Sequence, residues 1–249
     1  MLKAVKKGDL AFTAFCKRDV FGTRILCLYN CYSTDYDFVK FWVQTDEKGD
    51  IISAVSRIDG DVTVSSTGEN TEELFEFLKI VGFRTIQCEK KTAESAGYGG
   101  KINGYVVRYI KNKNKIAKIQ ADNVFRPKEI YDIIKSANLV GVGDYLPWLS
   151  DTTFRMNRGA TTALTALADG KAVATAMKLF ITDHAVLLGA VATRPEYRGR
   201  GLAGALVTTL AESEKDKRVE LLCKHDNIVE FYKSIGFEVK NEWSIITDE

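Results

Sequence analysis

The sequence predicts a mixed α/β protein built from two modules that share one order of elements. Three observations carry this reading. Residues Ala185–Thr193 form a nearly continuous apolar segment, short enough for a buried strand. Directly downstream, Leu202, Leu206 and Leu210 recur at spacing four, with Ala205 and Val207 widening the stripe, the pattern of a helix facing a core. Asp59-Gly60 and Asp169-Gly170 each sit between two strand-like runs, one in each half of the chain.

In chain order, 38–44 and 51–58 read as strands joined by a turn at 46–49, and 62–66 reads as a third strand after Asp59-Gly60. Residues 71–81 are periodic for a helix with Leu74, Phe75, Leu78 and Val81 inward, and 84–88 is a strand. Alternating Lys and Asn at 108–118 read as a solvated connector or an exposed edge strand, so the boundary is placed there: 1–108 is a first module and 109–249 a second. Pro127 opens a helix whose buried stripe is Ile130, Ile133 and Ile134. Residues 140–159 read as irregular. Strands at 160–168 and 171–180 flank Asp169-Gly170, a tight turn at Thr182-Asp183 leads into 185–193, and a strand follows at 219–224. The first half repeats the order strand, hairpin, strand, turn, strand, helix, strand.

Between the 185–193 strand and the helix after it lies Arg194-Pro195-Glu196-Tyr197-Arg198-Gly199-Arg200-Gly201. Gly199 and Gly201 can take φ > 0 and leave the backbone open to close approach. The helix beginning there presents unpaired N–H groups and the positive end of its dipole. Such a turn is an anion site, and Arg198 and Arg200 add fixed positive charge. The run 199–204 also satisfies G-x-G-x-x-G, with Asp226 at ribose distance. Context argues against a dinucleotide: five residues separate strand end from first glycine, and the chain after Gly204 has room for one strand, a short helix and a final strand. In the first module the equivalent turn is Thr67-Gly68-Glu69-Asn70, where one glycine and a carboxylate would repel a diphosphate, so no coenzyme is expected there.

The second turn resembles the coenzyme A signature of the GNAT superfamily of N-acyltransferases, Gln/Arg-x-x-Gly-x-Gly/Ala, with Arg198, Gly201 and Ala203 at its fixed positions. Residues 227–237, with Asn227, Tyr232 and Gly236-Phe237, resemble the second signature of that family. The resemblance covers about 115–249, and within the superfamily it is similar to the glycine N-acyltransferase-like branch. It implies a GNAT-like fold, preceded here by a smaller, degenerate module of similar element order. It further implies acetyl-CoA as acyl donor, without a metal.

Acyl transfer asks for a held cofactor, an extended pantetheine arm, stabilised negative charge and proton movement. Backbone N–H groups of Arg198, Gly199, Arg200, Gly201, Leu202 and Ala203 suit the diphosphate. The exposed edge of 189–193, Thr193 included, can pair with pantetheine amides as another strand would. Val191 or Ala192 supplies the natural oxyanion donor. A lysine-like amine, with a pKa near ~10.4, must lose a proton. The resemblance gives Tyr232 the acid role and places Asn227 beside the pantetheine. Tyr232 also reads as a core aromatic beside Phe231 and Phe237, and Asn227 as the N-cap of a short helix. His225 is a candidate base, but a structural role has the larger share, and the 185–193 strand carries no carboxylate, so the base is unassigned. In this family the helical segment before the meander walls the acceptor pocket, here 144–151. Asp144 and Asp151 could attract a cationic amine with Tyr145 and Trp148 packing on it, or all four could be cap and core residues.

Composition bounds the alternatives. At 249 residues with 45% apolar and 10% aromatic content, the chain can build a large core. A net charge of +2 gives no argument for nucleic-acid or membrane partners. Met1 to Leu10 has lysines without an apolar segment behind them, and no apolar run reaches membrane-spanning length. Five cysteines without paired spacing, and two histidines, fit reduced thiols in a cytoplasmic protein rather than zinc. The expected function is an acetyltransferase acting on a small-molecule primary amine, as monomer or homodimer. The alternative is a non-catalytic acyl-CoA-binding module.

Overall fold

A computed structural model describes residues 1–99, 102–111, 119–139 and 142–248. The Lys/Asn run at 112–118, which the sequence suggests is a connector or edge strand, lies outside the described residues, as do 140 and 141 at the head of the segment expected to be irregular. The chain forms two compact units. The first comprises Met1–Val107, Leu222–Val229 and Val239–Glu249, and the second Arg108–Leu221 and Glu230–Glu238. The main division falls at 107/108, and two segments from the C-terminal part of the chain group with the first unit.

In the first unit, β1 (Leu2–Ala4), β2 (Val39–Thr45), β3 (Ile51–Ile58) and β4 (Asp61–Ser66) form an antiparallel ladder, and β4 pairs in parallel with β5 (Thr85–Glu89). Strand β6 (Ile102–Tyr109) and the last strand of the chain, β12 (Phe237–Thr247), complete its order as β1-β2-β3-β4-β5-β12-β6. Helices α1 (Leu10–Phe15) and α2 (Val20–Tyr32) precede the meander, α3 (Thr71–Val81) joins β4 to β5, and α4 (Lys90–Ser95) follows. Asp9 and Asp19 start α1 and α2 by accepting from the N–H groups of Phe12 and Gly22. Leu74, Phe75 and Leu78 of α3 pack on Val55, Val62, Val64 and Ile86. Thr71–Val81 is the helix the periodicity predicts; Val81 is only partly buried at its end.

In chain order the second half repeats these elements, though most of its last strand groups with the first unit. A short β7 (Ala121–Asp122) is followed by α5 (Pro127–Ser136), α6 (Tyr145–Met156), β8 (Thr162–Ala168), β9 (Lys171–Ile181), β10 (Ala185–Thr193), α7 (Leu202–Glu212), β11 (Arg218–Cys223), α8 (Asp226–Ser234) and β12. Its strand order is β11-β10-β9-β8-β7, with β10 antiparallel to β9 and parallel to β11. Residues 145–156, read from the sequence as irregular, are helical. Pro147 misled that reading, since proline is tolerated in the first turn of a helix, where no intrahelical N–H bond is lost. Ile130, Ile133 and Ile134 of α5 pack on Ala163, Met177, Ala172 and Ala192. Lys178, next to Met177, instead bonds Ser213 and Glu214 at the end of α7. Successive strand residues face opposite ways, so α5 and α7 cover opposite faces.

Register shifts in this unit fall between Ala166 and Leu167, between Leu187 and Leu188, and between Gly189 and Ala192; the last bears on the site. Along β10, Gly189 lies opposite Met177 and Ala192 opposite Thr175, so β10 carries one residue more than β9 over that interval. This is a β-bulge. Ala190 within it has φ 50°, in the left-handed region that side chains rarely adopt. A Cβ on Gly189 would lie 2.3 Å from Leu179 Cδ1, so any side chain there would push the leucine aside. The β3–β4 ladder at the equivalent place in the first unit runs from Ser53↔Ser66 to Ile58↔Asp61 without a register shift.

All five cysteines are free and buried. Burial pushes the Cys88 thiol up to about 12 and Cys223 to about 11. Among the described residues no helix is long and apolar enough to cross a membrane, and no group of three or more His, Cys, Asp or Glu could hold a metal ion.

Two stability experiments test these contacts. Burial acts to raise the Glu214 carboxyl, but the hydrogen bond and charge of Lys178, with Lys217 nearby, hold it below the usual carboxylate range. A carboxyl depressed in the native state stabilises above its unfolded pKa of ~4.3 and loses that contribution as pH falls through the lower native value. Glu214→Gln is therefore expected to cost about 1–3 kcal/mol in urea unfolding at pH 7, with the gap to the parent chain narrowing below pH ~4. At the bulge, Ala190→Gly is expected to be neutral or to stabilise by up to about 1 kcal/mol, because the φ strain is relieved while chain entropy is lost. Ala190→Val is expected to destabilise by about 2 kcal/mol, since a β-branched residue resists φ > 0.

Candidate active site at the β10 edge and the 194–201 turn

The second unit brings three backbone features together along one stretch of chain. The first is the free edge of β10. Parallel pairing with β11 runs from Ala185↔Arg218 to Leu188↔Leu221 and extends no further among the described pairs. Beyond Leu188, the β11-facing side of Gly189 to Thr193 is thus released from the ladder, and the bulge turns the backbone there. Val191 and Thr193 are half-buried, whereas the Ala192 side chain is buried against Ile133.

The second feature is the turn. Arg194 pins its start: the backbone N–H donates to Val173 O at 2.9 Å and Nε to Ala172 O at 2.9 Å. Pro195 to Tyr197 make one 3-10 turn, closed by the N–H of Arg198 donating to Pro195 O at 3.2 Å. Gly199 and Gly201 both have φ 73°, as the sequence requires of them. A Cβ on Gly199 would meet nothing within 4 Å, so the space over this glycine is open. Arg198, Gly199, Arg200 and Gly201 are all exposed. Arg198 Nε donates to Thr193 O at 3.2 Å, which folds the turn back on the strand end. Arg200 donates to Glu196 O at 3.0 Å and lies 4.9 Å from the Tyr197 ring centroid. Each arginine spends part of its hydrogen-bonding capacity on shaping the turn and keeps its charge beside it.

The third feature is the start of α7. Gly201 occupies the cap position, no side chain caps the helix, and the first intrahelical bond runs from Ala205 N–H to Gly201 O at 3.0 Å. The N–H groups of Leu202, Ala203 and Gly204 are the surplus donors of this end, and the helix dipole points its positive end at the turn. Gly204 packs toward Ile235 and Phe231, with a hypothetical Cβ 3.5 Å from Ile235 Cγ2, which ties the start of α7 to the segment bearing Tyr232.

Tyr232 and Asn227 both lie on α8. Tyr232 is buried, with its ring 5.1 Å from Phe231 and 5.5 Å from Phe237, so its aromatic body is part of the core. Asn227 is exposed and is the second residue of the helix rather than its cap. The carbonyl of His225 accepts from Ile228 and Val229 there, so the capping reading of Asn227 does not hold.

The carboxylates expected to draw a cationic acceptor fare differently. Arg155 Nε bonds both oxygens of Asp151, at 3.1 and 3.0 Å, and Nη2 bonds Oδ2 at 2.6 Å. The Asp-to-Arg spacing of four, visible in the sequence, was the signal for this pair. Asp144 is the exposed residue before α6, and its side chain caps nothing. Tyr145 and Trp148 join Tyr131 and Phe125 in an aromatic group. The sequence reading missed the bulge itself; an isolated glycine inside a strand-like run, Gly189, was the available sign.

The chain is similar to known proteins in part of its sequence and in its fold. Residues 160–239 match the family described as an acetyltransferase (GNAT) domain. No curated protein matches the sequence. A GCN5-related N-acetyltransferase from Sphaerobacter thermophilus is similar in structure, at TM-score 0.62 and 16% identity over 98% of this chain and 94% of that one. A tandem GNAT protein from the clavulanic acid biosynthesis pathway is similar at TM-score 0.60 and 14% identity, over 100% of this chain and 98% of that one. A Drosophila protein gives TM-score 0.65 and 16% identity, over 99% and 98%. Residues 160–239 are thus similar to a GNAT acetyltransferase domain, and the chain shares the fold of these solved structures.

Proposed function

We propose that the protein is an acyl-CoA-dependent N-acyltransferase, with acetyl-CoA as donor and the primary amine of a small molecule as acceptor. The observation that carries this reading is the conjunction, in a single stretch of chain, of a bulged strand with a free edge, a two-glycine turn and an uncapped helix start. Bound acetyl-CoA supplies the activated acyl group. The residues present suit it: open space over Gly199, surplus donors at Leu202 and Ala203, and two exposed arginines fit a diphosphate. Backbone groups of Val191, Ala192 and Thr193 fit an extended diamide arm laid along the strand edge.

In this reading the chain contributes positioning and electrostatics. The β10 edge aligns the acyl carbonyl, and the N–H of Val191 or Ala192 is placed to donate to its oxygen as negative charge grows. Tyr232 Oη is the proton source for the departing sulfur, and Asn227 binds along the pantetheine, both as the family resemblance implies. The acceptor nitrogen gives its proton to solvent or to a water-linked group, because β10 carries no carboxylate.

The first unit is the natural home of the non-catalytic alternative, and the two units together read as a tandem in which only the second is equipped. Strand β4 has no bulge. In its turn, 67–70, Thr67 N–H donates to Ile52 O at 2.8 Å and Gly68 N–H to Ser66 Oγ at 3.0 Å. The donors that would greet a diphosphate are partly consumed, and Glu69 adds repulsion.

Binding and turnover separate the parts of this proposal. Calorimetric titration with CoA should give binding by the parent chain and a loss of about tenfold or more in affinity for Arg198→Ala or Gly201→Asp, the latter placing a carboxylate and a strained φ at the helix start. Tyr232→Phe should keep CoA affinity and lower the rate of thiol release by about tenfold or more. An unchanged rate would remove Tyr232 from the mechanism.

A further inference from the structure

The ground beside the bulge is aromatic and apolar. Phe125, Tyr131, Tyr145 and Trp148 form a connected group, with ring centroids 5.1 Å apart for Tyr131–Tyr145, 5.4 Å for Tyr131–Trp148 and 6.3 Å for both Phe125–Trp148 and Tyr145–Trp148. Trp148 and the bulge residue Ala190 pack against the same buried set, Ile130, Ile134, Ala163 and Met177. Trp148 and Phe125 thus share one packed cluster with Ala190, the residue before Val191.

Charge around these rings is largely spent. Besides Asp151, held by Arg155, Asp132 is paired with Lys128 at 2.6 Å and Asp122 with Arg126 at 2.6 Å. The Asp144 carbonyl accepts from Trp148 N–H at 3.1 Å, while its carboxylate has no hydrogen-bond or ion-pair partner among the described residues. Two ring faces already carry cations of the chain, Lys128 Nζ lying 5.6 Å from the Tyr145 centroid and Lys135 Nζ 5.8 Å from that of Tyr131. One uncommitted carboxylate beside several rings suits a ligand with a single ammonium group and a flat apolar body. A second cationic group would meet Lys128 and Lys135 and find no free acid.

We propose that the acceptor is an arylalkylamine: one primary amine on a short chain bearing an aromatic ring, which stacks on Trp148 and Tyr145. This rests on the acyltransferase reading and narrows its substrate class. Trp148 is then a specificity residue, contributing ring contact rather than chemistry.

Thiol release from acetyl-CoA is measured with phenethylamine, butane-1,4-diamine and glycine, alongside calorimetric titration of CoA. The parent chain should favour phenethylamine over each of the others by about tenfold or more in kcat/KM, the order of discrimination an apolar pocket supplies. Trp148→Ala should cut that preference, mainly through a higher KM for phenethylamine, and leave CoA affinity within about twofold. Trp148→Phe should restore most of it. If Trp148→Ala does not fold, half-buried Tyr145→Leu replaces it with the same expectation. A chain that binds CoA but prefers the diamine or glycine, or acetylates none of the three, overturns the arylalkylamine inference. So does a Trp148 variant that loses rate equally on all three amines. A chain giving no heat with CoA overturns the acyltransferase reading, and this inference with it.

Discussion

A backbone group already paired inside its own sheet has little left to offer a ligand, and this constraint organises the second unit. From Val186 to Leu188 strand β10 is paired on both sides, with β9 and with β11, although a first register shift against β9 already falls between Leu187 and Leu188. Beyond Leu188 the bulge breaks the rhythm with β9, and the parallel pairing with β11 is over. Everything proposed for function lies at or beyond that point: an unpaired edge, then the turn, then a helix start whose first donors lack acceptors. An ordinary sheet would spend these groups on stability. Here the strain of Ala190 at φ 50° is tolerated because the surrounding sheet over-determines the conformation.

The contrast between the units turns on the same constraint. Both place two helices before a three-strand meander, then a helix, a parallel strand and a short helix. Strand β4 keeps its ladder in register through Ser66, and the hydroxyl of Ser66 takes the N–H of Gly68. Shared architecture thus accompanies opposite treatment of the backbone at one strand end. A large part of the difference comes down to Gly189, which lets Leu179 pack over the strand, and to Gly199 and Gly201, which accept a φ of 73°.

Much of this was legible in the sequence because the signals were local. The apolar run 185–193, the leucine stripe of α7 and the Asp-Gly hairpins mark elements whose bounds agree closely with the structure. Turn residues Arg198 to Ala203 were legible for the same reason, since glycine and arginine declare their chemistry at short range. Three features were not. Helix α2 buries residues around most of its circumference, so no clean periodic stripe stands out. Helix α6 was hidden by Pro147 in its first turn. The bulge depends on how β10 registers against β9, a property of two strands at once, which no single run of residues spells out. The fate of Asp151 was similarly relational, because Arg155 also donates to the Leu179 carbonyl and lies 4.8 Å from the Phe180 ring.

The central claim is that surplus amides within residues 190–204, those of Leu202 and Ala203 foremost, are held in reserve for an acyl-CoA, and that the matching segment of the first unit has no such reserve. Amide hydrogen exchange with and without CoA tests it most directly. The account predicts slowed exchange for peptides covering 190–204 on adding CoA, with those covering 66–71 unchanged. No protection at 190–204, or protection appearing at 66–71 instead, would contradict it.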